Sequence, residues 1–254
     1  MSKSGYYAWC KRKDEPNYDL EEYLLIKDIF EHGRKKLGYR RITMKLREKD
    51  HRINHKKVYR IMKKYGLHTK VRRKNPYRRI FRIQEGSHQT AANLLKQNFR
   101  RKNPYQFIST DITYLHYGPQ NAYLSVMKDI ASGEIVNYKL TSSLDISLSV
   151  DLVDDLARVL TERDISLHHV LIHSDQGAHY TSPLYQRKLE SYGFTQSMSR
   201  RGNCLDNAPV ESFFGHFKDE VDYKRVKNFT ELKHVVDEYI SYYNTGRHQW
   251  HRKR

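Results

Sequence analysis

Between residues 107 and 198 the hydrophobic pattern changes period in a set order, and that order leaves the chain very few folds. Phe107 to Leu115 is short and rich in β-forming residues. Ala122 to Ile130 and Glu134 to Leu140 are two more runs of the same kind around the turn residues Ala131, Ser132 and Gly133. A helical period follows over Ser147 to Arg163, then an apolar strand at His169 to His173, a helix from Pro183 to Tyr192 and a strand at Phe194 to Met198. A three-stranded meander followed by two crossover units predicts an α/β fold, a mixed five-stranded sheet with helices on its faces.

This order is that of the ribonuclease H-like folds. Beyond it, Asn207 with Pro209 starts a long helix to about Val226, and Thr230 starts another to about Tyr243. Ahead of it the character is different: residues 34–82 hold 21 Lys or Arg against two acids, Glu48 and Asp50, which marks a separate basic module. Tyr39, Ile42 and Leu46, then Val58, Ile61, Met62 and Tyr65, repeat at helical spacing, with Asn54 placed to cap the second helix and Gly66 to end it. An earlier helix around Leu20 to Phe30 completes a small all-α, helix-turn-helix-like unit. The expected division is a basic helical DNA-binding domain over 1–70, a basic linker over 71–103 with a short helix near Thr90 to Phe99, a catalytic core over 104–226, and a C-terminal helix with a basic tail over 227–254.

The whole chain carries a net charge of +18, which calls for an anionic partner, with double-stranded DNA the first candidate. A membrane surface ranks far behind, because no apolar run approaches the roughly 20 residues of a spanning helix and the basic segments are dispersed. Cys10 and Cys204 are far apart and in no metal-binding spacing, and the first residues carry no signal-peptide core, so a protein of the reducing cytoplasm is expected. Lys56, Lys57, Arg60, Lys63 and Lys64 lie along the second helix of the basic module and are candidate phosphate contacts; the alternative is a solvated charged face.

Three acids stand out by position. Asp111 lies within a strand, where a charge is costly unless paired or bound to a cation. Asp175 follows the apolar run HVLI, at the carboxyl end of a parallel-type strand, where open α/β sheets place ligands. Glu211 opens the long helix beside the apolar stripe Val210, Phe213, Phe214 and Phe217, with Gly215, Lys218 and Asp222 following along one edge. If the three carboxylates converge, mutual repulsion is relieved by divalent cations, and oxygen-only ligation selects Mg²⁺, with Mn²⁺ as substitute. Two such ions about 4 Å apart suit an in-line phosphodiester displacement. Lys218 is then placed to hold a DNA phosphate, and Arg200, Arg201 and Asn203, in the polar loop before the third acid, are further candidate DNA contacts. Histidines 173, 179 and 216 lie near the acids, but such residues more often serve packing or phosphate contact than catalysis.

At these residues the chain resembles the DDE transposases of bacterial insertion sequences, the group whose second reading frame encodes a retroviral-integrase-like core. The likeness spans nearly the whole chain and is carried by SGYYAW, GYRRI, VYRIMKKYGL, TDITY, HSDQGAHYTS and SRRGNCLDNAPVESFFGHFKDE. The 35 residues between Asp175 and Glu211 are the interval typical of that family. The resemblance implies a catalytic and metal-binding triad of Asp111, Asp175 and Glu211, and a DNA-contacting lysine at Lys218. It further implies Mg²⁺-dependent cleavage at element ends, followed by strand transfer of the freed 3′-hydroxyl into target DNA. Ile108, His179 and Leu205 stand where relatives often carry Trp, Gln and an aromatic residue. Relatives also acquire a helix-turn-helix from a first reading frame and continue into a Pro-containing tail, so a fused or separate first-frame partner is expected to help find the terminal repeats. A homo-oligomer is expected for an enzyme acting on two ends. Two other readings stay open: a catalytically silent or truncated DNA-binding regulator derived from a transposase, and a retroelement integrase, whose paired His and Cys are missing before residue 100.

Overall fold

The computed structural model describes residues 3–4, 6–7, 10, 19–69, 90–100 and 103–249, which fall into two compact units. The basic tail and most of the basic linker lie outside the described residues. In the first unit, α1 (Leu20–His32), α2 (Tyr39–Glu48) and α3 (His55–Lys64) bury Ile26, Ile42, Leu46, Val58 and Ile61 in a core of their own. Asn54 caps α3, its Oδ1 accepting from the Lys56 amide at 2.9 Å, and Gly66, at φ +66°, supplies the left-handed turn that ends the unit's last helix.

The second unit is built on one sheet. The meander is β1 (Phe107–Tyr117), β2 (Gln120–Asp129) and β3 (Ile135–Thr141), followed by α4 (Ser147–Glu162), β4 (Leu171–Ser174), the short α5 (Ala178–Thr181), α6 (Pro183–Ser191) and β5 (Thr195–Met198). Strand order is β3-β2-β1-β4-β5, with β1 antiparallel to β2 and parallel to β4, and β4 parallel to β5. This is the ribonuclease H-like order expected from the sequence. Two helices follow, α7 (Ala208–Glu220) and α8 (Phe229–Thr245), the latter capped by Asn228 on the Glu231 amide at 2.8 Å.

Alternation along the strands divides the core between two faces. Ile108, Met127 and Ile172 point to the side covered by α4 and α6, while Leu115, Leu124 and Val126 point to the side covered by α7 and α8. On the second side Phe213 packs edge-on to Tyr243 with ring centroids 4.7 Å apart, so α8 belongs to this unit's core.

Two expectations fail here. α7 stops at Glu220, short of Val226, because the chain turns extended at Val221 and brings Tyr223 back to stack on Phe217 at 5.6 Å. Residues 90–100 form no helix. Lys96 and Gln97 take positive φ, and the amides of Leu94 and Leu95 donate to Ser197 Oγ while Ala92 O accepts from the Met198 amide, so this segment pairs with the edge of β5 instead of with itself.

Phe213 is fully buried, so Phe213→Ala is expected to lower the unfolding free energy by about 3–5 kcal/mol in urea titrations. Leu205→Ala, at an exposed residue, should stay within about 0.5 kcal/mol.

Candidate active site

Strand register determines which side chains meet. Ser109 faces Lys128 on β2 and His173 on β4, and His173 faces Ser197 on β5. These four buried polar residues form a row across the face covered by α7. Their polar atoms are satisfied. Ser109 Oγ donates to Asn207 Oδ1 at 2.5 Å, the His173 ring bonds Ser197 Oγ at 2.9 Å and Ser199 Oγ at 3.1 Å, and Lys128 Nζ donates to Pro209 O and to the Tyr243 hydroxyl, each at 3.0 Å.

The β1–β4 pairing ends at Ser109 and His173; Asp111 follows two residues on along β1, on the same face as Ser109, and Asp175 follows directly after β4. A second observation agrees with this placement: the buried Tyr180 hydroxyl is raised well above its ordinary pKa, by burial first and by the charges of both Asp111 and Asp175. Each of the two acids is half-buried and has one oxygen held by a nearby amide, Asp111 Oδ1 by Ile112 N at 2.8 Å and Asp175 Oδ1 by Gly177 N at 2.9 Å. A Cβ at Gly177 would stand 2.8 Å from Asp175 Oδ1, so a larger residue there would push this carboxylate aside.

Glu211 comes from α7, whose start is pinned to β1. Asn207 occupies the cap position, yet its side chain makes no cap bond; it reaches the sheet, with Nδ2 donating to Thr110 O at 3.0 Å. The buried strand carbonyl is thereby satisfied, and the helix begins directly beside Asp111. At the other end Lys218 Nζ donates to Thr113 Oγ1 at 2.5 Å. α7 therefore runs along β1 from Ser109 to Thr113, and the half-buried Glu211 lies one turn past the first anchor. The charges of both Asp111 and Asp175 reach the Tyr180 hydroxyl. Among the described residues, however, no group of three or more His, Cys, Asp or Glu side chains is gathered to hold a metal ion, so Glu211 is not in a closed triad with them.

The remaining candidates divide. Arg200 is taken up by an internal pair, its guanidinium forked on the buried Asp206, and Asn203 caps the turn Cys204–Asn207 through the Leu205 amide, while Arg201 is exposed. On α3, Lys57 pairs with Glu22, and Arg60 and Lys64 both reach Asp19, at 2.8 and 3.3 Å. Lys56 and Lys63 are exposed. Gly177, which bonds Asp175, and Asp206 and Asn207, which anchor the entry to α7, are passed over by sequence reasoning, because a loop glycine, a loop acid and a helix-capping Asn each have commoner roles. His173 is a packing residue, as expected of it.

Comparison with known proteins gives the family. The Integrase core domain is matched over residues 101–204 and again, by a second model of that description, over 192–250, and the HTH-like domain over 17–75. The protein named as transposase InsK for insertion sequence element IS150 of Escherichia coli (strain K12) is 35% identical over 248 residues, covering 97% of this chain and 85% of that one. The chain belongs to the insertion-sequence transposases. Transposase InsF for insertion sequence IS3A of the same organism is 28% identical, with 98% of this chain and 87% of that protein aligned. The catalytic domain of Mos1 mariner transposase matches with a TM-score of 0.45 and 16% identity over 54% of this chain and 70% of that one. The function of the family is transposition. No helix among the described residues is long and apolar enough to cross a membrane.

Burial lowers the His173 pKa from 6.5 to about 4. The unfolded chain therefore takes up this proton first, so the stability is fully present above about pH 6.5 and is lost as pH falls toward 4, by up to about 3 kcal/mol. Urea melts between pH 7 and 4 should show a smaller loss for His173→Gln than for wild type.

Proposed function

We propose that the chain cuts and joins DNA at the ends of an insertion sequence, with Asp111, Asp175 and Glu211 as the ligands of two Mg²⁺ ions, or of Mn²⁺ in their place. The observation that carries this reading is that Asp111 and Asp175 each lie two residues beyond the last paired residues of neighbouring parallel strands, Ser109 and His173, with the charges of both acting on the buried Tyr180 hydroxyl. Two carboxylates side by side at the carboxyl end of a sheet, with a third acid arriving on a helix pinned to the same strand, offer an all-oxygen donor set of the kind hard divalent cations require. When bound, the ions would lower the pKa of the attacking water or 3′-hydroxyl and neutralise charge on the leaving oxygen.

The chain's own groups do the rest. The Ile112 and Gly177 amides each hold one aspartate oxygen and so fix how the two carboxylates are turned. Asn207 sets where α7 begins, and hence where Glu211 enters. Lys218, on the same helix two turns beyond Glu211, supplies a positive charge for the scissile strand's phosphates. The basic helical unit, with Lys56 and Lys63 exposed on α3, would bind the duplex of the terminal repeat, and a net charge of +18 favours DNA throughout. A homo-oligomer acting on two ends, aided by a first-frame helix-turn-helix protein, fits this role.

Strand transfer of a labelled element-end oligonucleotide with Mg²⁺ tests the site. Asp111→Asn, Asp175→Asn and Glu211→Gln should each lower the rate by more than about 100-fold, since changes only one shell further out cost 10–100-fold, and should leave duplex binding intact. Full activity in any one of them removes that residue from the site. Binding of the end duplex should weaken by about 10³ or more between 50 and 200 mM salt, and a flat response would contradict a many-phosphate interface.

A further inference from the structure

Five donors converge on one fully buried carboxylate, Asp206, in the turn that leads into α7. Its Oδ2 accepts from Asn93 Nδ2 at 2.8 Å, from the Arg200 amide at 2.9 Å and from Arg200 Nε at 3.0 Å. Its Oδ1 accepts from Gln97 Nε2 at 2.6 Å and from Arg200 Nη2 at 3.0 Å. The Arg200 guanidinium holds this carboxyl well below the usual carboxylate range.

A buried carboxylate is costly unless it is paired and fully hydrogen-bonded, and once satisfied it sets the geometry of whatever it joins. Here it joins residues 93–97, the loop that begins at Arg200, and the entry to α7. Apolar packing does not hold this turn: Arg201 and Gly202 are exposed, and so is Leu205. The next residue, Asn207, is bonded to Ser109 and Thr110 beside Asp111, and Glu211 follows one helical turn later.

We propose that Asp206 is a positioning residue for strand cleavage and transfer, locking the chain into α7 so that Glu211 is presented to the Asp111 and Asp175 pair, with residues 93–97 as the other half of the clamp. Asp206 itself touches neither metal nor DNA. The inference rests on Glu211 being the third ligand.

The test uses the full chain with Asp206→Asn and, separately, the double variant Asn93→Ala with Gln97→Ala, which keeps the Arg200 pair and so guards against misfolding. Hydrogen exchange is followed in residues 212–216 of α7 and in β2, together with the Mg²⁺ concentration giving half-maximal strand transfer and the Kd for the end duplex. In both variants exchange in α7 should speed by about tenfold or more with β2 unchanged. The Mg²⁺ requirement should rise by about 10-fold, with excess Mg²⁺ restoring part of the rate and Kd unaltered. Unchanged exchange in α7 together with an unchanged Mg²⁺ requirement would overturn the proposal. Equal acceleration in β2 would also overturn it, since that marks a general stabiliser of the fold. If Glu211→Gln keeps full activity, the ligand reading fails by itself, and the exchange data still decide whether Asp206 holds α7.

Discussion

A row of buried polar side chains, Lys128, Ser109, His173 and Ser197, crosses four strands beneath α7, and the site depends on it. Polar groups in a core are costly unless each finds a partner, and here the partners are parts of the site's own scaffold: Asn207, the Pro209 carbonyl, Ser199 and the amides of Leu94 and Leu95. The row also enforces register. A slip of one residue between β1 and β4 would turn Ser109 or His173 into the apolar layer under α4, where Ile108 and Ile172 now pack.

α7 reads this row and carries the result outward. Its apolar stripe, Val210, Phe213, Phe214 and Phe217, is buried against Leu115, Leu124 and α8, which fixes the helix's rotation. Its two ends are fixed by polar bonds, Asn207 to β1 at the start and Lys218 to Thr113 further along. Gly215 lies between them, and a Cβ there would meet no atom within 4 Å, so this edge of the helix is open at that position. Packing energy and site geometry are thus supplied by different sides of one helix.

The order of strands and helices was legible because period-2 and period-3.6 patterns alternate cleanly from Phe107 to Met198, and because Asn54 and Gly66 have local roles that need no tertiary context. Asp111, Asp175 and Glu211 stood out for a similar reason, since each breaks a local rule or sits at a marked position. Long-range pairing was not legible. Residues 90–100 look helical by composition, but their amides go to Ser197. Lys57, Arg60 and Lys64 look free along α3 until Glu22 and Asp19 are placed opposite them. Arg200 has the composition of a DNA contact, and only the fold reveals Asp206 beneath it.

The most direct measurement is the anomalous scattering of Mn²⁺ in crystals of the chain bound to its element end. The geometry predicts manganese in contact with carboxylate oxygens of both Asp111 and Asp175, at about 2.0–2.2 Å, with Glu211 closing the site. Manganese bound at other residues, or none at this pair under saturating conditions, would contradict the assignment.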